Sequence, residues 1–370
     1  MGAGTSLDVA SDFQFLLGFL PAGWEEKAKE LGALRRCRKV ADAQSLLRVL
    51  LIHVGEGCSL RETALRAKRG GIADLSDVAI MGRLKRSGEW FRWMNVELMR
   101  KWVQRRPMAF CGGDWNVRLV DATRIKEPGP TGSSWCLHYC VDLASLCCTQ
   151  MQVCDKHGNG ETFRRFRVES GDLFIADRAY GVASGIHHVT QRGGQVVARF
   201  SWSNLPLWTQ PERKFDLFEH LRGLEGGRLG DWPVCLKVGE EAVWGRVCAV
   251  KKSRQAARKA RQRALRKAQK NAAKLRPETL EAAGYLFVFT TIERAELGPR
   301  GVLEFYRSRW QIELVFKRLK SLLGLGHLRK NDPQAAIAWI HGKLFVALLL
   351  EALLRHGESF FPWGYPLEPP

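Results

Sequence analysis

The 370-residue chain contains no CxxC pair, no visible secretory signal and no internal repeat. Its ten cysteines are scattered: Cys136 and Cys140, the pair Cys147-Cys148 with Cys154, and Cys37, Cys58, Cys111, Cys235 and Cys248. Zinc held by Cys136, His138 and Cys140 would draw three ligands from one face of a strand with no closing second pair, which is poor tetrahedral geometry. The cysteines therefore read as reduced, mostly buried thiols of a cytoplasmic protein. Long apolar runs are also lacking. The best, Leu344 to Leu354, carries Glu351 and falls short of the ~20 residues that cross a bilayer, so it is expected to be a buried helix and no membrane partner is expected. Met1 to Ser6 fits the loose N-myristoylation pattern, but no polybasic segment follows directly and the match is set aside. Acid is in short supply: 38 Asp and Glu stand against 58 Lys and Arg, a net charge of +20, which suits a polyanionic partner such as nucleic acid.

What the sequence does carry begins with the run from Tyr306 to Lys320. On a helix at about 100° per residue, Tyr306, Arg309, Glu313, Lys317 and Lys320 fall within roughly a quarter of the circumference, while Ile312, Leu314 and Phe316 point elsewhere. One carboxylate in a cationic row suits phosphodiester chemistry, with the acid on a metal ion and the cations on a phosphate backbone. On its own the same row is equally a solvated face with Arg309–Glu313 or Glu313–Lys317 pairs. Two further acids follow short apolar runs that read as buried strands, Asp121 after Val117-Arg-Leu-Val and Asp177 after Leu173-Phe-Ile-Ala. Carboxylates at strand ends can converge at one sheet edge, and two-metal phosphoryl transfer needs carboxylates that hold two cations ~3.5–4 Å apart.

The spacing Tyr306-x2-Arg309-x3-Glu313-x6-Lys320 resembles the signature of cut-and-paste transposases of the insertion-sequence-four family, which use an Asp-Asp-Glu triad on a ribonuclease-H-like fold. The segment Val117 to Thr123 resembles that family's first-aspartate strand, and Asp172 to Gly181 its second. Ala122 departs from the small Gly or Ser that is commoner there, without affecting the carboxylate of Asp121. The resemblance implies an α/β, ribonuclease-H-like catalytic core interrupted by a β-rich insertion, with a mostly helical N-terminal DNA-binding region. It implies Asp121, Asp177 and Glu313 as catalytic metal ligands, Mg²⁺ with Mn²⁺ as substitute, and a homodimer on double-stranded DNA that pairs terminal inverted repeats before joining target DNA. Arg199 resembles a basic residue that the family often shows on the strand after the second aspartate. In relatives that pass through a hairpin an insertion aromatic stacks on an extruded base, which makes Trp202 and Trp208 candidates.

Four regions are expected. Residues 1–105 read as the helical recognition region, with a helix-turn-helix in which Ser59-Leu-Arg-Glu62 opens one helix, Gly70-Gly71 breaks it and Ser76 caps the next, carrying Arg83, Lys85 and Arg86. Residues 106–200 read as the first part of the core: a strand at 117–122, a meander, a short helix around 161–167, a strand at 172–176, a helix near 182–192 and a strand at 195–200. Asp177 and Glu313 lie 136 positions apart, far more than one strand and one helix require, so 201–284 reads as the insertion. Within it, Lys251 to Arg276 holds twelve Lys or Arg and no acid, which favours a helical phosphate-binding arm through Arg258, Lys259, Arg261 and Arg263. Residues 285–370 then complete the core with a strand, the Glu313 helix from about 299 and an apolar helix at about 333–355.

The expected activity is that of a DNA transposase: cleavage at element ends, then attack of the freed 3′-hydroxyl on a phosphate, with Tyr306, Arg309, Lys317 and Lys320 orienting the backbone. The rivals are a metal-dependent nuclease of the same fold and a domesticated DNA-binding protein without cleavage.

Overall fold

The computed structural model describes residues 9–35, 37–102, 108–110, 113–128, 134–155, 160–210, 213–328 and 332–358. Cys111 and the Met1 to Ser6 match lie outside them. The chain forms two compact units, one made of Met1–Gln104, Arg124–Trp135 and Phe316–Pro370, the other of Arg105–Thr123 and Cys136–Val315.

The first unit is mostly helical: α1 Val9–Leu17, α2 Trp24–Glu30, α3 Ala43–Val54, α4 Leu60–Arg69, α5 Asp77–Arg86 and α6 Gly88–Trp102, with a long helix from the C-terminal end of the chain described below. The expected caps are present. The Ser59 hydroxyl accepts from the Glu62 amide at 3.1 Å and that of Ser76 from the Ala79 amide at 3.2 Å, each satisfying an amide that the first helical turn leaves orphaned. Arg83 folds back onto the Ala79 carbonyl and Lys85 pairs with Asp332 at 2.8 Å, which leaves Arg86 as the exposed base of the expected trio.

The second unit is built on a sheet of strands β1 Met108–Phe110, β2 Gly113–Lys126, β3 Ser134–Asp142, β4 Cys148–Cys154, β5 Asp172–Ala176, β6 Gln195–Arg199, β7 Trp208–Gln210, β8 Arg213–Lys214, β9 Leu229–Val238, β10 Glu241–Lys251 and β11 Tyr285–Thr290. Their spatial order is β4-β3-β2-β5-β6-β11-β10-β9-β7-β8, with β1 paired to β2. The β2–β5 and β5–β6 pairs are parallel, and every residue of β5 is buried, as expected for a parallel strand covered on both faces. From β11 outward the pairing is antiparallel, so the strands of 201–251 extend the same sheet beyond β11. Helices α7 Ala183–Thr190, α8 Leu217–Arg222, α9 Arg254–Lys270, α10 Pro277–Ala282 and α11 Pro299–Ser308 belong to this unit, and α12 Trp310–Ser321 begins in it. The last helix, α13 Pro333–Glu358, returns to the first unit and packs on α3, α5 and α6.

Several local expectations are corrected. The strand expected at 117–122 runs to Lys126, so Asp121 follows the last residue paired with β5, Val120, and does not end the strand. The expected helix at 161–167 is a single 3₁₀ turn, Phe163–Arg165, which ends because the backbone turns extended at Phe166. The expected single helix from 299 breaks at Arg309, where the amides of Arg309 and Ile312 bond three residues back, a tightened turn between α11 and α12. Helix α13 covers the expected 333–355 and runs on to Glu358. Twenty-four of its residues are apolar enough to cross a membrane by length and composition, but the most apolar window is 67% buried, as in a core helix.

Packing in the first unit depends on α13. Phe345 meets Phe91 at 5.5 Å between ring centroids, Trp90 stacks on Trp24 at 6.0 Å, and the Asn95 amide donates to the His341 carbonyl at 3.1 Å. A Cβ on Gly342 would lie 3.2 Å from both Phe91 and Val54, so glycine permits the close approach of α13.

None of the nine described cysteines is in a disulfide, and seven of them are buried. His138 is buried between Cys136 and Cys140 on β3, with no hydrogen-bond partner at either ring nitrogen. Burial, and then the charge of Arg165, push its pKa down to about 4. No group of three or more His, Cys, Asp or Glu placed to share a metal ion occurs among the described residues.

Candidate active site at the edge of the parallel strands

The parallel register decides where the acids go. Val120 pairs with Ala176 and Ala176 with Ala198, so Asp121, Asp177 and Arg199 stand side by side where the parallel pairing of three neighbouring strands ends. That edge is where open α/β sheets bind ligands. The chain turns sharply after Asp177, and a Cβ on Gly181 would stand 2.4 Å from the Arg199 carbonyl oxygen, so only glycine passes there. Tyr180 next to it is a core residue, packed on Phe163 at 5.4 Å, with its hydroxyl buried and unpartnered.

The break between α11 and α12 delivers Arg309 to this edge. Its guanidinium lies 3.6 Å from Asp121 Oδ2 and hydrogen-bonds Glu313 Oε1 through its other terminal nitrogen, while Nε is buried without a partner. Tyr306, on the last turn of α11, donates from its hydroxyl to Asp177 Oδ1 at 3.3 Å. The three acids are thus linked through Arg309 and Tyr306. Lys317 and Lys320 are exposed on α12.

Burial dominates the electrostatics. Desolvation pushes Asp121 up to about 6. The amide of Ala122, which donates at 2.8 Å, and the charge of Arg309 pull it back, while Asp177 and Glu161 raise it further. Burial works against the charge on Arg309, but the bond to Glu313 and the charges of Tyr306, Asp177 and Glu313 outweigh it and raise its pKa. Tyr306 is raised by burial and by Asp177, so its hydroxyl stays a donor at neutral pH.

Asp177 also lines a cleft of about 800 Å³, together with Arg178, Arg199, Trp202 and Lys252, and with Arg263 and Lys267 from α9. Trp202 is half-buried, edge-on to Phe218 at 5.5 Å with Arg276 over its face at 5.9 Å. Trp208 lies on β7 with Lys237 4.1 Å from its ring centre and is not among the cleft residues. Of the expected basic arm, Arg263 faces the cleft, Arg258 and Lys259 are exposed elsewhere on α9, and Arg261 bonds the Leu280 carbonyl at 3.2 Å. Sequence reasoning did not single out Arg178, Lys252 or Glu161. The Asp177-Arg178 pair was a usable signal for the first, whereas Lys252 was hidden in a uniformly basic run.

Residues 113–350 match the family described as Transposase DDE domain. The chain belongs to the DDE transposase family. It is 32% identical over 348 residues to InsL of insertion sequence element IS186A from Escherichia coli K12, covering 92% of this chain and 93% of that protein. It is also 32% identical over 349 residues to the transposase for insertion sequence element IS421 from Escherichia coli, with the same coverage. The transposase for element IS231F from Bacillus thuringiensis subsp. israelensis is 24% identical over 273 residues, 64% of this chain and 56% of that protein.

Membership of this family implies a divalent metal. The donor chemistry of Asp121, Asp177 and Glu313 suits one, since all three offer hard carboxylate oxygens, and the half-buried Asp121, raised to about 6, is a group whose ionised form calls for a cation. Arg309 supplies that positive charge between Asp121 and Glu313, so the three carboxylates are not gathered around one point as they stand.

Proposed function

We propose that this chain is a DNA transposase whose catalytic residues are Asp121, Asp177 and Glu313. The observation that carries this reading is the placement of Asp121 and Asp177 side by side at the edge of β2 and β5, with Glu313 tied to Asp121 through Arg309. The strand order β4-β3-β2-β5-β6, parallel from β2 to β6, supports a ribonuclease-H-like core, with 201–284 as its β-rich insertion and 1–105 as the region that recognises element ends.

A divalent cation, Mg²⁺ with Mn²⁺ as substitute, would be held by the three acids and would supply activation of the attacking oxygen and relief of charge on the leaving one. The rest falls to the chain. Tyr306 fixes the Asp177 carboxylate, and Arg309 keeps Asp121 ionised and holds Glu313 close by. Arg199, Arg263, Lys317 and Lys320 grip the DNA backbone, with Arg258, Lys259 and Arg261 extending the basic surface along α9. Trp202, in the cleft beside Asp177, is better placed than Trp208 to stack on an extruded base. By relation to the family the enzyme acts as a homodimer on the nucleoid, pairing two inverted repeats.

The test uses DNA carrying the element's own ends. Asp121→Asn, Asp177→Asn and Glu313→Gln should each abolish Mg²⁺-dependent nicking while DNA binding persists, and the wild type should join a precut 3′-hydroxyl end to target DNA. Substantial nicking by any of the three variants would remove that residue from the triad. Nicking without joining would make the protein a nuclease.

A further inference from the structure

The register of β3 against β4 sets two thiols face to face. Cys136 stands opposite Cys154 in this antiparallel pair, at the end where β3 begins and β4 finishes. Directly opposed residues of an antiparallel pair have Cα atoms about 4.5–5.5 Å apart, inside the window of about 4.4–6.8 Å that a disulfide spans. No other two of the described cysteines oppose each other across a strand pair. Cys140 stands opposite Gln150, Cys148 opposite Val141, Cys235 opposite Trp244, and Cys248 opposite Val288 and Asp231. Both members of the pair are thiols in this structure.

The two sulfurs differ in access. Cys136 is buried, whereas Cys154, the last residue of β4, is half-buried. Arg165, on the 3₁₀ turn, donates to Cys154 Sγ at 3.2 Å and to Gln152 Oε1 at 3.1 Å, which fixes that sulfur at the strand end. Elsewhere burial keeps thiols protonated and inert: it raises Cys58 and Cys235, and pushes Cys140 and Cys248 up to about 12. Reversible thiol oxidation needs an accessible sulfur with a second one in bonding reach. We infer that Cys136 and Cys154 form a redox-sensitive dithiol, which a peroxide closes into a disulfide across β3 and β4. Cys154 Sγ attacks one peroxide oxygen, the O–O bond breaks, and a sulfenic acid and one water result. Cys136 Sγ then attacks the Cys154 sulfur, the S–O bond breaks, and the hydroxyl leaves as a second water with the Cys136 proton. The two thiols lose two electrons and two protons, and the peroxide takes up both. The new bond lies on β3, the strand next to the one that carries Asp121.

The experiment treats the full chain with a small excess of hydrogen peroxide, blocks the remaining thiols with N-ethylmaleimide in mildly acidic denaturant, and maps the peptides by mass spectrometry. Chymotrypsin is used, because no Lys or Arg lies between Cys136 and Cys154 for trypsin to separate them. A Cys136–Cys154 link should be the main disulfide formed, and dithiothreitol should remove it. In Cys136→Ser the link should be lost and Cys154 should accumulate as a sulfenic acid that dimedone traps. In Cys154→Ser the link should be lost and Cys136 should stay reduced. The exposed Cys37 reports that the peroxide has acted. Oxidation of Cys37 without a Cys136–Cys154 link, a main link to Cys140, Cys147 or Cys148 instead, or oxidation of Cys136 in Cys154→Ser would overturn the inference. Should either variant fail to fold, the wild-type peptide map decides alone.

Discussion

Asp121 carries a proton more readily when folded than when unfolded, because it is mostly buried beside Asp177 and Glu161. The sign follows from linkage. A carboxyl raised to about 6 contributes stability at acid pH that is lost as pH rises through 6, so ionised Asp121 opposes folding of the metal-free protein at neutral pH. Asp121→Asn should therefore stabilise the protein in EDTA by about 1–2 kcal/mol at pH 7.5, less than the full pKa shift would give because Arg309 loses a partner. The gain should shrink towards pH 4.5, as thermal melts across that range would show, and a gain that grew on acidification would contradict the burial argument. Mg²⁺ should raise the wild-type melting temperature and leave that of Asp121→Asn nearly unchanged. Tyr306→Phe removes one long hydrogen bond to Asp177 and should cost about 1 kcal/mol or less of stability while slowing cleavage, by freeing the carboxylate to rotate.

At the scale of elements, α9 is a 17-residue helix whose side chains are largely exposed, capped by the Ser253 hydroxyl on the Ala256 amide. Its charges suit the phosphate backbone and do little to read base edges. Replacing Arg258, Lys259, Arg261, Arg263, Arg266 and Lys267 with Gln keeps helix propensity and removes six charges. Affinity should fall alike for all DNA sequences, and the slope of log K against log salt should flatten by up to about 0.9 per lost phosphate contact. An unchanged slope would mean that α9 only faces solvent. At the turn after Asp177, Gly181→Ala would drive a methyl into the Arg199 carbonyl. A loss of about 2–4 kcal/mol is expected, together with a loss of cleavage, since the shift would displace Asp177 itself.

At the scale of the whole molecule, the first unit is closed by a helix from the far end of the chain. A fragment of residues 1–105 would leave Phe91, Asn95 and Val54 without Phe345, His341 and the rest of α13. Such a fragment should lack a cooperative melt, and linking residues 333–358 to it should restore one in differential scanning calorimetry. Cooperative unfolding of the fragment alone would show that α13 is dispensable to this unit.

Much of this was legible in the sequence because it depends on neighbours only a few residues away. The Ser59 and Ser76 caps, the basic helix after Ser253, the apolar strands that lead to Asp121 and Asp177, and the spacing from Tyr306 to Lys320 are all set by helix and strand periods and by local hydrogen bonds. Tertiary structure decided what lies outside that range. Arg309 occupies a break between α11 and α12, where amides bond three residues back, rather than a place in a continuous helical row. The segment 161–167 keeps only a 3₁₀ turn, ending where Phe166 is extended and buried in the core. Only the parallel register of β2, β5 and β6 brings Asp121, Asp177 and Arg199 to one edge. Only the return of the chain through β10 sets Lys252 beside residues more than fifty positions earlier. Local periodicity fixes which residues share a face, but which faces meet depends on long-range pairing and burial, and those are settled when the whole chain packs.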